Sequence, residues 1–145
     1  MATIVIREYN PTTGRLIGNV SFLNFGNVNV GEVSPVRVID MSVPDVSYIS
    51  NVRLVVSSAD LIPVNNNPQD IAADGSAGNG NFGVETSSSF LSRNTLSRFF
   101  AGVGQEVTVG TRGDNVTNFV YLNVRMDSSS VGSGKVVYKW HLDIS

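Results

Sequence analysis

At 145 residues and 15.5 kDa the chain has the length of one domain that buries a continuous core without covalent staples. Its 41% hydrophobic and 15% charged residues describe a globular protein, and a formal net charge of -2 argues against sequence-independent nucleic-acid binding, which needs a basic stripe. The absence of cysteine removes disulfides, thiolate nucleophiles and Cys-type zinc sites, and no apolar run approaches the roughly 20 residues that span a bilayer, so neither nucleic acid nor membrane is an expected partner.

The opening Met1-Ala2-Thr3-Ile4-Val5-Ile6-Arg7 enters a strand pattern at once, without the charged and long apolar regions of a secretion signal. The chain is therefore expected to stay in the compartment of its synthesis unless an assembly carries it out. A strand is predicted over residues 3–9, a turn over Asn10-Pro11-Thr12-Thr13-Gly14 and a second strand over 16–22. Further strands are expected over 36–43 and 51–56, with Pro35 and Pro44 kept to the ends because proline cannot donate to a sheet ladder. Residues 65–81, rich in Asn and Gly, form a long loop with little to pack, a kind that is functional or mobile. Shorter strands are expected over 82–86 and 106–110. Helical spacing occurs only over 92–100, where Leu96, Phe99 and Phe100 share a face for one or two turns.

Alternation is clearest toward the end. Val120, Leu122, Val124 and Met126 alternate with Tyr121, Asn123 and Arg125, and Val136, Tyr138, Trp140, Leu142 and Ile144 alternate with Val137, Lys139, His141 and Asp143. The loop between them is rich in Ser and Gly, so the two strands are expected to pair as an antiparallel hairpin, with Tyr138 and Trp140 in the core. About seven short strands without a long helical period predict an all-β fold: a single immunoglobulin-like antiparallel β-sandwich with at most one short helix.

Catalytic chemistry is not grouped in this sequence. Nucleophilic catalysis needs a base beside the attacking group, yet the single histidine, His141, falls on the polar side of the last strand, where a solvated surface residue is the simpler reading. There is no Gly-x-Ser-x-Gly elbow, His-Glu-x-x-His pair or Walker-type loop, and no carboxylate pair stands out for glycoside hydrolysis. Asp60, Asp70 and Asp74 flank the Asn-rich loop as oxygen donors of the kind calcium uses, but without the spaced series of a calcium loop they read as a solvated loop. No catalytic residue, metal or cofactor is expected.

Four residues are candidates for partner binding. Arg112-Gly113-Asp114 resembles the integrin-recognition tripeptide, while Gly113 and Asp114 also suit an ordinary hairpin turn within 110–117. Phe99 and Phe100 belong to an apolar cluster with Phe90, Leu91 and Leu96, which serves either as a partner patch or as satellite core beneath a long connection. The sequons at Asn19 and Asn115 are read as accidental, since a chain without a signal does not meet the transferase.

The segment Val20-Ser21-Phe22-Leu23-Asn24-Phe25-Gly26-Asn27-Val28-Asn29-Val30-Gly31-Glu32-Val33-Ser34 resembles the opening of ASPM/SPD-2/Hydin-type immunoglobulin-like domains. Taken with the strand that follows it over 36–43, the resemblance covers under a fifth of the chain and implies a fold more than a function. The step that follows in that family is replaced here by Met41-Ser42-Val43-Pro44. As a whole, the Cys-free, Lys-poor chain rich in Val, Asn, Ser and Gly resembles immunoglobulin-like virion proteins of tailed bacteriophages, namely capsid decoration and tail-associated proteins. That resemblance implies a non-enzymatic structural protein, assembled in the host cytoplasm into the virion, with viral capsid or tail proteins as partners and a homo-oligomer as one form. The rival expectation is a module that binds a host-surface glycan through the 65–81 loop or the 110–117 turn.

Overall fold

The computed structural model describes residues 3–21, 23, 34–61, 82–93, 96, 106–124 and 134–144; for 56–61, 82 and 134–137 it describes the backbone alone. These residues form an all-β sandwich of ten strands in two antiparallel sheets. In chain order they are β1 (Val5–Tyr9), β2 (Leu16–Asn19), β3 (Arg37–Ser42), β4 (Ile49–Leu61), β5 (Phe82–Ser87), β6 (Glu106–Thr108), β7 (Thr111–Gly113), β8 (Val116–Thr117), β9 (Phe119–Val124) and β10 (Gly134–Ile144). The larger sheet runs β2-β1-β3 and then divides: β3 pairs with β8 near one end and with β9 near the other, β7 lies outside β8, and β5 lies outside β9. The smaller sheet has the order β10-β4-β6.

The turn expected after β1 forms as the sequence demands. Asn10 accepts the N–H groups of Thr12 at 2.8 Å and Thr13 at 3.0 Å on its side-chain oxygen, and Gly14 closes the loop at φ 77° while donating to the Asn10 carbonyl. β8 and β9 are one path broken at Asn118: between the pairs Ile39↔Val120 and Ser42↔Val116, β3 advances three residues and its partner four. Thr117 fills the gap this leaves, its hydroxyl accepting the Met41 N–H at 2.9 Å.

Apolar faces of the two sheets meet in the main core. Ile39, Met41, Val84, Val120, Leu122 and Val124 come from the larger sheet and Val52 and Leu54 from the smaller, with Tyr138, Trp140 and Leu142 of β10 packed against them. Tyr138 and Trp140 therefore join the core as their alternation predicts. Ile144 departs from it: although in phase with them, it stands 49% exposed at the end of the sheet.

Two further expectations are corrected. The strands at 119–124 and 134–144 do not pair with each other; β9 lies between β3 and β5, while β10 pairs with β4 in the other sheet. Every residue of β9 is buried, so this strand needs a central place with partners on both edges, which a hairpin at a rim does not offer. The alternation over 120–124 does not separate core from solvent, since Tyr121 and Asn123 are as buried as Val120 and Leu122. Phe119 and Tyr121 join Tyr9, Val36, Val38 and Leu96 in a second cluster on the outer face of the larger sheet, with Phe90 packed against it. The rings of Tyr9 and Phe90 meet Phe119 edge-on, at 5.1 Å and 6.0 Å between centroids, and the Leu91 N–H donates to the Tyr121 hydroxyl at 2.6 Å. Residues 92 and 93 have no regular structure, and the remainder of the short helix expected over 92–100 falls, apart from Leu96, outside the described residues.

Candidate functional site

The densest polar chemistry among the described residues centres on Asp40, in the middle of β3. Its neighbours in sequence are apolar and its side chain is 0% exposed, so the carboxylate must be satisfied by the protein. Strand register supplies the first partner: Arg7 of β1 lies directly opposite Asp40 and donates from Nε to Oδ1 at 2.9 Å and from Nη2 to Oδ2 at 2.8 Å. Tyr9, two residues along the same face, donates its hydroxyl at 2.8 Å, and Arg112 of β7 adds an Nη2 contact at 2.6 Å. The guanidinium of Arg112 lies over the Phe119 ring at 3.9 Å and that of Arg7 near the Tyr9 ring at 5.9 Å.

Two cations and one anion leave the cluster with an excess positive charge close to the surface, the arginine side chains being 27% and 24% exposed. The bond to Asp40 raises the pKa of Arg7 further above its ordinary value. Burial, then the bond to Asp40, raises that of the Tyr9 phenol, which remains a neutral donor at physiological pH. The arrangement fastens the β7–β8 hairpin to β1 and β3, and all four side chains are held.

The four candidate partner-binding residues therefore have separate fates. Phe99 and Phe100 lie outside the described residues, although their cluster mates Phe90 and Leu96 are satellite core and Leu91 stands 40% exposed. Arg112 turns inward to Asp40 and Phe119. Asp114 is exposed in the two-residue turn that it forms with Asn115, at φ 50° and 58°, the geometry of a tight hairpin in which both central residues have positive φ. The segment forms a tight hairpin turn, with Asp114 exposed and the Arg112 side chain bonded to Asp40. Asn115 is also engaged, its side-chain amide donating to the Val46 carbonyl and its own carbonyl accepting the Val43 N–H at 3.1 Å, while Thr117 is fully buried.

The remaining chemistry proposed for the chain is dispersed. His141 is exposed on β10, as its place in the alternation predicts. Asp70, Asp74 and the whole 65–81 loop lie outside the described residues, as does the Asp60 side chain; among the described residues no group of three or more His, Asp or Glu side chains converges on a point. Glu8, Glu85 and Glu106 each meet an arginine: Arg37 at 3.4 Å, Arg93 at 3.3 Å and Arg53 at 3.2 Å.

Sheet rims are the other candidate surface, and they are features that strand prediction alone does not reveal. β2 forms one rim of the larger sheet, and its adjacent Leu16 and Ile17 are 56% and 57% exposed. Among the described residues β10 is a rim strand of the smaller sheet, 11 residues long. Most of the resemblance segment at 20–34 falls outside the described residues. Compared with known proteins, the chain matches no family profile and no curated sequence.

Proposed function

We propose that the chain is a non-enzymatic structural module of a tailed-phage particle that docks on a capsid or tail protein lattice through an open sheet rim. The observation that carries this reading is β2: among the described residues it is a rim strand of four residues, bulged at Ile17, that leaves the adjacent Leu16 and Ile17 more than half exposed. A rim with free backbone amides and flanking apolar side chains can take up an extended segment of a partner, the amides fixing register and the side chains supplying buried area. Four of the seven described carboxylates, Glu8, Asp40, Glu85 and Glu106, are each held by an arginine, which supports a non-catalytic role.

The test is co-sedimentation of the purified chain with capsids and tails assembled from the products of its neighbouring genes. Saturable binding to one of these particles, lost when Leu16→Ser and Ile17→Ser are combined, is the expected result. Absence of binding to both particles, or retention on a glycan array that survives those two substitutions, overturns the reading, and the second outcome favours a carbohydrate-binding module.

A further inference from the structure

The second rim points to a different partner. Edge strands of natural sheets are blunted by proline, by bulges, by charges turned toward the interior or by being short. β10 has none of these features, although it carries Lys135 and Lys139, and lysines on a rim are a further blunting device. It runs for 11 residues, GKVVYKWHLDI, without proline, and among the described residues its one partner strand is β4.

The bulges in this pair lie on the other strand. From Val137↔Ser58 to Tyr138↔Val56, β10 advances one residue and β4 two; from His141↔Arg53 to Asp143↔Ser50, β10 advances two and β4 three. The second bulge contains Asn51 at φ 52°. The extra residues lie on the central strand, and among the described residues the rim strand has no second partner. Of its charged residues, Lys139 and Asp143, with His141 between them, are exposed and face away from the core.

We propose that β10 is a self-association surface: two copies pair their β10 strands antiparallel about a two-fold axis at His141, joining two three-stranded sheets into one of six strands. The register follows from the side chains. Placing His141 opposite His141 sets Lys139 of each copy against Asp143 of the other, so opposite charges meet twice on the outer face. On the inner face the same register sets Tyr138 against Ile144 and Trp140 against Leu142, covering the Ile144 side chain that a single copy leaves 49% exposed. The competing register about Lys139 also sets Asp143 against Lys135 twice, but it places two lysines face to face across the axis, and the cross-linking below separates the two registers. The proposal uses the rim opposite in kind to β2 and does not depend on lattice docking.

Sedimentation equilibrium of the full chain, from micromolar to near-millimolar concentration, tests it without any particle present. A monomer–dimer equilibrium is expected. Lys139→Asp or Asp143→Lys alone converts both cross-copy pairs to like charges and weakens the dimer by roughly tenfold, and the double swap restores it. Asp143 also accepts a 3.4 Å bond from the Asn51 side chain, and the double swap separates that local loss from the loss at the interface. Because the chain has no cysteine, a single His141→Cys substitution reports the axis: air oxidation is expected to cross-link it to a dimer and to leave Lys139→Cys monomeric under the same conditions. A wild-type chain that is monomeric throughout, a dimer indifferent to the single charge changes, or cross-linking of Lys139→Cys as readily as His141→Cys overturns the proposal.

Discussion

Arg112 and Asp40 are 72 residues apart in sequence and 2.6 Å apart in space, and their contact is the fourth of the hydrogen bonds that fill the buried carboxylate. The partners are unequal in what their removal leaves behind. Asp40→Ala strands two guanidinium groups and a phenol without their acceptor, and the expected loss is about 3–5 kcal/mol. Arg112→Ala leaves Asp40 with three donors from Arg7 and Tyr9, and the expected loss is about 1–3 kcal/mol. Urea denaturation midpoints check the order, and equal losses for the two variants contradict it.

How much of this was legible in the sequence follows from how many faces of each strand are covered. β10 reads correctly because one face is core and the other solvent, which is the condition that period-two alternation reports. β9 does not, because Tyr121 and Asn123 lie under the satellite cluster and are as buried as Val120 and Leu122. Alternation then assigns a solvent face that does not exist. Asp40 carried a usable signal, being a lone carboxylate inside Val38-Ile39-Asp40-Met41 with Arg7 in the equally apolar first strand. Arg112 carried none, since its partner is set by how β7 folds beside β8. The β4 bulges that leave β10 regular depend on sheet curvature and have no sequence mark beyond Asn51.

Gly14 is held by two constraints at once. Its φ of 77° disfavours any side chain with a Cβ, and a Cβ there would lie 2.8 Å from the Phe90 ring that covers the outer cluster. Gly14→Ala is expected to cost about 1–3 kcal/mol. Shortening Phe90 to leucine in the same chain should recover only the steric share of that loss. A thermal melt of the single and double variants checks this, and an unchanged midpoint for Gly14→Ala contradicts the close approach of Phe90.

Gly83 and Asn123 face each other across β5 and β9, and the missing side chain of one makes room for the other. Asn123 is fully buried, and neither its amide nitrogen nor its oxygen has a hydrogen-bond partner. A buried unsatisfied amide costs about 1–3 kcal/mol, so Asn123→Leu, close to it in shape, is expected to be neutral or to stabilise the fold by about 1 kcal/mol. Gly83→Ala should destabilise it, because the new methyl group collides with the Asn123 oxygen and lies 3.1 Å from Leu96. Denaturation midpoints that fall for both variants would show that the Asn123 amide is doing something other than filling space.

Alkaline pH should expose the buried phenols. Burial raises the pKa of Tyr138, whose hydroxyl has no partner in the core, and burial is also the leading cause for Tyr9 and Tyr121. Each phenol stays protonated in the folded chain at a pH where the unfolded chain has begun to lose its proton, the ordinary value being 10.0. Below that value both states carry the proton and these groups give stability no pH dependence. Above it the folded state binds more protons, so stability falls as pH rises, by about 1.4 kcal/mol per pH unit for each phenol still held neutral. Tyrosinate absorbance followed alongside circular dichroism checks this: three of the four tyrosines should ionise together with the loss of β structure. Ionisation of all four before any structural change contradicts the burial of these phenols, the Tyr138 hydroxyl above all.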